Sequence, residues 1–333
     1  MNSKTRALLL LIIAAFIWGI TSPINRHALS FTHPLFYTAF RYLFAAMSLA
    51  PLVLRWGRRQ APADYFFHDV GRWSWLKGGL WLGTFLTLAS ILQYYGLTFT
   101  TASKSGFITS LYVPMVALFG FVLGQLPRRQ VWIGLGLCMI GLLFLSRSGA
   151  GGGFNFGDAL TLTADLIWAG HIMIMGYFVH RVNPWRLVAA QSIVCSLLCF
   201  GLVFWTDNLG SWAEFKRSLP FMLWGIVAVS VAYVCQAVAQ INTSATATAI
   251  IMQVQPVLGA AVGIIFLKEE FYWGMVVGAV FLISGALVAR RGGEAVRVNP
   301  KAPRYKLVMV ARVAMAVSLL LLCVFSLVFS SRG

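Results

Sequence analysis

Apolar runs of about 20 residues follow one another along almost the whole chain, and this repetition constrains the fold more than any other feature. A helix of that length crosses the roughly 30 Å hydrocarbon core of a bilayer. Only 11% of the 333 residues are charged and 59% are hydrophobic, which leaves too little polar surface for a soluble domain. Strand-like alternation is not seen, so a membrane barrel is disfavoured. We therefore predict an all-α polytopic membrane protein.

The apolar runs predict eleven spans, near residues 7–25, 35–56, 73–97, 103–125, 130–147, 157–180, 184–206, 219–241, 245–267, 272–290 and 307–330. With a cytoplasmic N-terminus, most of the 26 Lys and Arg residues fall at cytoplasmic ends and loops, as the positive-inside rule requires. The net charge of +17 therefore reflects orientation and contact with anionic lipid, and no nucleic-acid partner is expected. We predict a multi-pass protein of the bacterial cytoplasmic (inner) membrane.

The same tryptophan, proline and glycine positions occur twice along the chain, in the same order. Residues of the same type recur at offsets of 142 to 150: Trp18 and Trp168, Pro34 and Pro184, Pro114 and Pro256, Gly134 and Gly278, Gly141 and Gly285. Because each copy holds five spans, an odd number, the second copy must insert upside down relative to the first. Inverted repeats are typical of secondary transporters, whose substrate site lies at the repeat interface near the bilayer midplane.

The repeats divide the chain into five segments. They are repeat 1 with spans 1–5 (7–147), a glycine-rich linker (148–156), repeat 2 with spans 6–10 (157–290), a basic cytoplasmic loop (291–306) and an additional span (307–330). The eleventh span has no counterpart in the repeat, and we interpret it as an accessory helix.

Two sets of motifs carry a family resemblance. The first repeat contains "WGITSPINRHAL", "FRYLFAA", "TTASKSGFITSLYVPM" and "WIGLGLCMIGLLFL"; the second contains "GDALTLTADLIWAGHI", "AAQSIV", "TSATATAIIMQVQPVLGAAVGIIFLKEE" and "GMVVGAVFLISGALV". Over about residues 7 to 290, this order resembles the drug/metabolite transporter superfamily, specifically its EamA-type members. The resemblance implies a ten-helix fold of two five-helix units around a central cavity, and the transport of small metabolites, often outward.

The chain departs from that family pattern in three places. Gln125 stands where a glutamate usually ends the fourth helix, whereas Glu269 keeps the glutamate in the second repeat. Gln255 precedes Pro256 where glutamate is common. The eleventh span is the third departure. A coupling scheme taken from relatives therefore does not transfer directly.

Polar side chains inside the spans are the candidates for substrate binding or coupling, because a charge at mid-bilayer costs ~2.5–3.5 kcal/mol on insertion scales. Asp165 lies about 12 Å along the sixth span, and His171 follows on the same helix. They are predicted either to bind a substrate or a proton together, or to be hydrogen-bonded packing residues. The full set of candidates is Trp18, Gln93, Tyr94, Lys104, Tyr112, Asp165, Trp168, His171, Tyr233, Gln236 and Gln253.

Two basic residues and two prolines inside the spans are also interpreted from the sequence. Lys104, near the outer end of the fourth span, is predicted to snorkel to water, to attract a substrate carboxylate or phosphate, or to pair with Asp165. Arg41, whose counterpart in repeat 2 is Gln191, is interpreted as a structural arginine. Pro114 and Pro256 are predicted to bend the fourth and ninth spans.

These features favour a secondary transporter, an exporter of small polar organic metabolites such as amino acids that works by alternating access. Its expected partners are the substrate, the lipid bilayer and protons as a candidate coupling ion, with no requirement for an oligomer. A lipid flippase is the main alternative. A membrane-embedded enzyme is disfavoured, because His-Glu-x-x-His, paired aspartates and Gly-x-Ser-x-Gly are absent. The five cysteines lie inside predicted spans without metal-ligand spacing, so we expect no disulfide, metal or cofactor.

Overall fold

The computed structural model describes residues 3–56, 74–113, 115–116, 119, 129–147 and 155–291. Every regular element in these ranges is a helix, which confirms the all-α prediction. The predicted eleventh span, most of the basic loop before it and most of the glycine-rich linker lie outside the described residues, as do Pro114 and Gln125.

The helices are, in chain order, α1 (Ser3–Ala28), α2 (Pro34–Trp56), α3 (Ser74–Phe99), α4 (Ala102–Thr109), α5 (Arg129–Arg147), α6 (Phe156–Phe178), α7 (Pro184–Trp205), α8 (Trp212–Gly225), a π-helix (Ile226–Val231), α9 (Ala232–Gln240), α10 (Ala245–Ile251), α11 (Val254–Leu267) and α12 (Trp273–Arg291). Within the described ranges, seven helical stretches are long and apolar enough to cross a membrane. One of them runs from α8 through the π-helix to the end of α9, and another joins α10 to α11. Shorter apolar helices occupy parts of α5 and α12.

Local sequence sets where several helices begin. The Asn155 side chain accepts from the backbone N–H of Asp158, and the Asp158 carboxylate accepts from the backbone N–H of Asn155, which forms a capping box at the start of α6. Ser211 and Glu214 form the same motif before α8. Pro184 stands at the first position of α7, where its missing N–H is not needed.

The two repeats interleave in space. Helix α3 of repeat 1 packs mainly against α6 and α7 of repeat 2, and the related span of repeat 2, through the π-helix and α9, packs against α1 and α2. Helix α1 also packs against α11, just as α4 packs against α6. The two five-helix units implied by the family resemblance are therefore repeats in the sequence and not separate bundles in space. The most extensive helix contacts join helices of different repeats.

Four matched glycines bring α5 and α12 together. A Cβ atom on Gly141 would lie 2.8 Å from the carbonyl oxygen of Gly278, and a Cβ atom on Gly285 would lie 2.6 Å from that of Gly134. Neither position has room for a side chain, because each faces the backbone of the other helix. The glycines that mark the repeat in the sequence are thus the contact surface of this helix pair.

The fourth and ninth spans are interrupted at matching positions. Turns at residues 110–111 and 252–253 separate the helical parts, and the two turns are related by the repeat offset of 142 that also relates Pro114 to Pro256. Pro256, in the first turn of α11, has no N–H for the carbonyl four residues earlier, so α10 cannot run on unbroken. The two turns touch, because Gln253 Nε2 donates to the carbonyl oxygen of Ser110 at 3.0 Å.

Candidate functional site

A cavity of about 90 Å³ lies where the two repeats meet. Helices α1 to α4 and Tyr112, just after α4, form one wall; α6, the π-helix, α9, the turn before α11 and the first turn of α11 form the other. The structure places eight of the eleven candidate side chains in its lining: Trp18, Gln93, Tyr94, Tyr112, Trp168, His171, Tyr233 and Gln236. The cavity is therefore aromatic and uncharged over most of its surface.

The two repeat-related tryptophans each bond across to the other repeat. Trp18 Nε1 donates to the carbonyl oxygen of Ala228 at 2.7 Å, and Trp168 Nε1 donates to Gln93 Oε1 at 3.1 Å. The Trp18 ring also meets the Tyr233 ring edge-on, with 4.8 Å between centroids. Because each indole N–H is held by a partner, the orientation of both rings in the cavity lining is fixed.

The π-helix beside the cavity is a feature that the sequence did not reveal. Ala228, which receives the Trp18 hydrogen bond, lies within it and lines the cavity. Ser230 anchors the same segment to α2, since its Oγ donates to the carbonyl oxygen of Ala45 at 3.0 Å and lies 2.7 Å from Ser48 Oγ. Isolated π turns occur frequently at functional sites, and no residue type marks them in a sequence.

His171 is held in place through one ring nitrogen. Its Nε2 lies 3.0 Å from Gln191 Oε1, and its ring packs edge-on against those of Trp168 and Tyr233, both at 5.6 Å between centroids. Nδ1 has no hydrogen-bond partner among the described residues. His171 lines the cavity, and its Nδ1 atom is buried in this structure.

Asp165 is fully buried on α6 but does not line the cavity. Its electrostatic neighbours are Thr109 and Tyr112 of the fourth span, which do. Neither carboxyl oxygen has a hydrogen-bond partner among the described residues. The structure therefore places His171 but not Asp165 in the cavity lining, and a joint role for the two side chains stays a prediction.

Lys104 does not line the cavity and does not pair with Asp165. Its Nζ lies 2.5 Å from Oδ2 of the buried Asp158, in the first turn of α6. Asp158 also accepts hydrogen bonds from Thr100 Oγ1 and from the backbone N–H of Asn155, both at 2.8 Å. In this structure Lys104 forms an ion pair that joins the start of α4 to the start of α6, and its role in substrate binding stays a prediction.

Glu269, after the end of α11, reaches the same place from repeat 2. Its carboxylate accepts from the backbone N–H groups of Ala102 and Ser103 at 2.7 and 3.0 Å, and from the Ser103 hydroxyl. A carboxylate at a helix N-terminus is stabilised by the unsatisfied N–H groups there. We call Thr100, Lys104, Asp158 and Glu269 together the Lys104 cluster, and the end of the bundle that holds it the Lys104 end.

His33 stands in the connection between α1 and α2, outside the spans. Its Nε2 lies 3.0 Å from the hydroxyl of Tyr95 on α3. Burial lowers the pKa of His33, and the negative charge of Glu214 opposes this in part. Neutral imidazole is therefore the favoured form at neutral pH.

Gln253 is buried in the turn between α10 and α11 and does not line the cavity, since its amide is turned to Ser110. Its neighbour Gln255 does line the cavity.

Polar residues of α1 and α2 were missed as candidates from the sequence. Thr21, Ser22 and Asn25 line the cavity from α1, and Arg41 and Tyr42 line it from α2. The available signal was the polar stretch "TSPIN" inside an otherwise apolar span, together with the difference between Arg41 and its repeat counterpart. Depth along a helix does not tell which way a side chain points, so the sequence does not show that Arg41 faces the cavity.

Known proteins resemble this chain in sequence and fold. The model of the EamA-like transporter family matches residues 5–147 and again residues 155–291. The uncharacterized transporter YwfM of Bacillus subtilis is 25% identical over 289 residues, covering 84% of this chain and 92% of that protein. An uncharacterized transporter of Archaeoglobus fulgidus is 29% identical over 190 residues, and the match spans only about half of each protein, 56% of this chain and 54% of the relative.

A solved crystal structure shares the fold. It superposes with a TM-score of 0.65 at 17% identity and covers 86% of this chain and 97% of the other. With two family matches that together cover most of the sequence, this chain belongs to the EamA-like transporter family.

Proposed function

We propose that this protein is a secondary transporter that exports small polar organic metabolites, such as amino acids, by alternating access. The observation that carries the proposal is the cavity between the repeats, lined by polar and aromatic side chains of both. Sites of this kind, at the interface of inverted repeats and beside interrupted helices, are where secondary transporters bind their substrates. The touching turns of the fourth and ninth spans support the same view.

Asp165 is the residue we propose for proton coupling. It is a buried carboxyl group one helical turn from Trp168, and its neighbours Thr109 and Tyr112 line the cavity. An ionisable group at membrane depth without a protein partner is expensive to keep unless it has a function. Gain or loss of a proton at Asp165 would then affect the solute through the neighbouring residues Thr109 and Tyr112, which line the cavity.

The proposed setting is the bacterial cytoplasmic membrane with a cytoplasmic N-terminus, so that the Lys104 end faces outward. The charge asymmetry of the loops supports this orientation. Reporter fusions test it: an N-terminal reporter is expected to be cytoplasmic, and a C-terminal reporter extracytoplasmic if residues 307–330 cross the membrane.

The test of transport begins with metabolites released by cells that express the chain, compared with cells that carry an empty vector. A solute found in this way is then followed in proteoliposomes that contain the purified protein. Gln93→Leu, which removes the amide that holds Trp168 in the cavity wall, is expected to slow its flux. Leu197→Ala is the control, because that side chain is 66% exposed on α7 and faces away from the cavity.

Flux of a fluorescent phospholipid across the same proteoliposomes, in place of a water-soluble solute, would favour a flippase and overturn the proposal. Equal flux in Gln93→Leu and wild type would show that the solute does not pass through this cavity.

A further inference from the structure

Arg41 is a buried cation that faces the central cavity. It lies seven residues into α2, about 10 Å along the helix, and only 2% of its surface is exposed. The cavity lining contains several amides, phenols and hydroxyls, but Arg41 is the one Lys or Arg among the described residues that form it. Arg41 therefore places a positive charge in the cavity lining, at membrane depth.

The protein supplies Arg41 with neutral partners. Nη1 donates to Asn25 Oδ1 at 2.6 Å and to the hydroxyl oxygen of Tyr37 at 3.0 Å. Nε is buried and has no hydrogen-bond partner, and no carboxylate of the described residues lies within 4.0 Å of the guanidinium. An arginine buried without a counter-ion leaves its charge uncompensated, so an anion from outside the protein would complete the site.

The surrounding structure fixes the direction of the guanidinium. The Tyr37 hydroxyl donates to Asn25 Oδ1 at 2.9 Å, so that α1 and α2 hold Nη1 from two sides. On the neighbouring span, Gly225 packs against the stem of Arg41: a Cβ atom there would lie 2.5 Å from Arg41 Cγ. The side chain is thus preorganised, and binding an anion would require little reorganisation.

The fold itself does not require a charge at this place. The repeat-related position in α7 is Gln191, which is fully buried and lies 3.0 Å from His171 Nε2. A neutral amide therefore fills the equivalent site of repeat 2 within the same architecture. The charge at Arg41 is best explained by what the cavity holds.

We propose that Arg41 binds the carboxylate of the transported solute, an inference that rests on the proposed transport function. A guanidinium presents paired N–H groups that match the two oxygens of a carboxylate. A phosphate monoester carries up to two charges and is commonly met by more than one cation, whereas the described lining offers one. The aromatic walls formed by Trp18, Trp168 and Tyr233 receive the remainder of the solute.

The experiment measures binding to the purified full-length protein through the tryptophan fluorescence to which Trp18 and Trp168 contribute. The probes are lactate, L-leucine and phenylacetate, each paired with its own amide, and inorganic phosphate. In wild type, we expect the acids to bind ~10-fold to ~100-fold more tightly than the amides. In Arg41→Gln, which copies the residue of repeat 2, that difference should disappear, and Arg41→Lys should retain part of it.

Arg181→Gln provides the matched control. Arg181 lies just after α6, donates from Nη1 to the carbonyl oxygen of Tyr177 at 2.6 Å and does not line the cavity, so the preference for acids should remain. If Arg41→Gln does not fold, the comparison of acid with amide in wild type and in Arg41→Lys still decides the question. Equal binding of acids and amides, no binding of any acid, or binding of phosphate alone would each overturn the carboxylate assignment.

The same samples separate this inference from the transport proposal. Acid binding that depends on Arg41, without flux in proteoliposomes, would retain the anion site and reject transport. Flux of amides as fast as that of acids would retain transport and reject the role of Arg41.

Discussion

Lys104 and Asp158 form an ion pair between elements of different repeats, and both side chains are largely withdrawn from solvent. Removing one partner leaves the other charge buried. We therefore expect Lys104→Met to lower the free energy of unfolding by about 3 kcal/mol. Lys216→Met is the control, because Lys216 is exposed on α8 and stands over the ring of Trp212.

A double-mutant cycle with Asp158→Asn tests the same pair, with stability followed by thermal unfolding in detergent. The double variant should lose less than the sum of the two single losses. Strictly additive losses would mean that the two side chains do not interact in the folded protein.

Asp165 and Lys104 are both charged residues inside predicted spans, but Lys104 is paired with Asp158, whereas the carboxyl oxygens of Asp165 have no hydrogen-bond partner among the described residues. We expect Asp165→Asn to abolish solute movement driven by a proton gradient while exchange of solute against solute continues. Glu214→Gln, which alters a carboxylate that does not line the cavity, should leave both activities in place. The measurement is flux in proteoliposomes with and without an imposed pH difference. Gradient-driven flux at the wild-type rate, between about pH 5 and pH 8, would reduce Asp165 to a packing residue.

Helices α5 and α12 pack closely because glycine at the contact has no side chain. We expect Gly141→Ala to destabilise the protein by about 1–3 kcal/mol, because the added methyl group would meet the backbone of α12. Gly136→Ala, on the same helix, has no atom within 4 Å of the added Cβ and should not lower stability, because alanine is the better helix former by about 0.5–1 kcal/mol. Thermal unfolding in detergent compares the two variants, and equal losses would show that α5 and α12 do not pack through Gly141.

At the scale of elements, the sequence predicts existence and order better than shape. The sequence predicts the length of the spans, the repeat and the polar side chains of α3, α6 and α9, because these features depend on composition and local spacing. It does not predict the π-helix, because no residue type marks such a turn in a sequence, and the tryptophan that bonds to its Ala228 carbonyl is 210 residues away. The partner of Lys104 was missed for the same reason, because Asp158 belongs to the other repeat.

The whole molecule is organised by contacts between repeats, so the moving parts of an alternating-access cycle should each draw helices from both. Helices α1, α2, α8, α9 and α11 can be taken as one group and α3, α4, α6 and α7 as another, and the two groups meet along α2 with α7 and along α4 with α11. The Lys104 cluster joins the two groups at one end, where Glu269 caps α4. Release of this contact would be needed for the groups to separate there.

Cysteine pairs in a cysteine-free background test this division. A pair at Ser103 and Glu269, linked by a short bifunctional thiol reagent, joins the two groups and is expected to stop transport. A pair at Ser48 and Ser230, whose hydroxyl oxygens lie 2.7 Å apart within one group, should form a disulfide and leave flux unchanged. Flux that survives the first link would show that the Lys104 end does not open during the cycle.

The difference between Arg41 and Gln191 also has a consequence for the path of the solute. An inverted repeat alone would offer a travelling molecule two equivalent poses, related by the pseudo-twofold axis. A cation on one side of that axis makes the two poses unequal. A carboxylate bound to it therefore keeps one orientation from the binding of the solute to its release. The other substituents on its α-carbon then always meet the same faces of Trp168 and Tyr233. A cavity built by duplication thereby gains a direction from one residue, and its solute is carried in one fixed orientation.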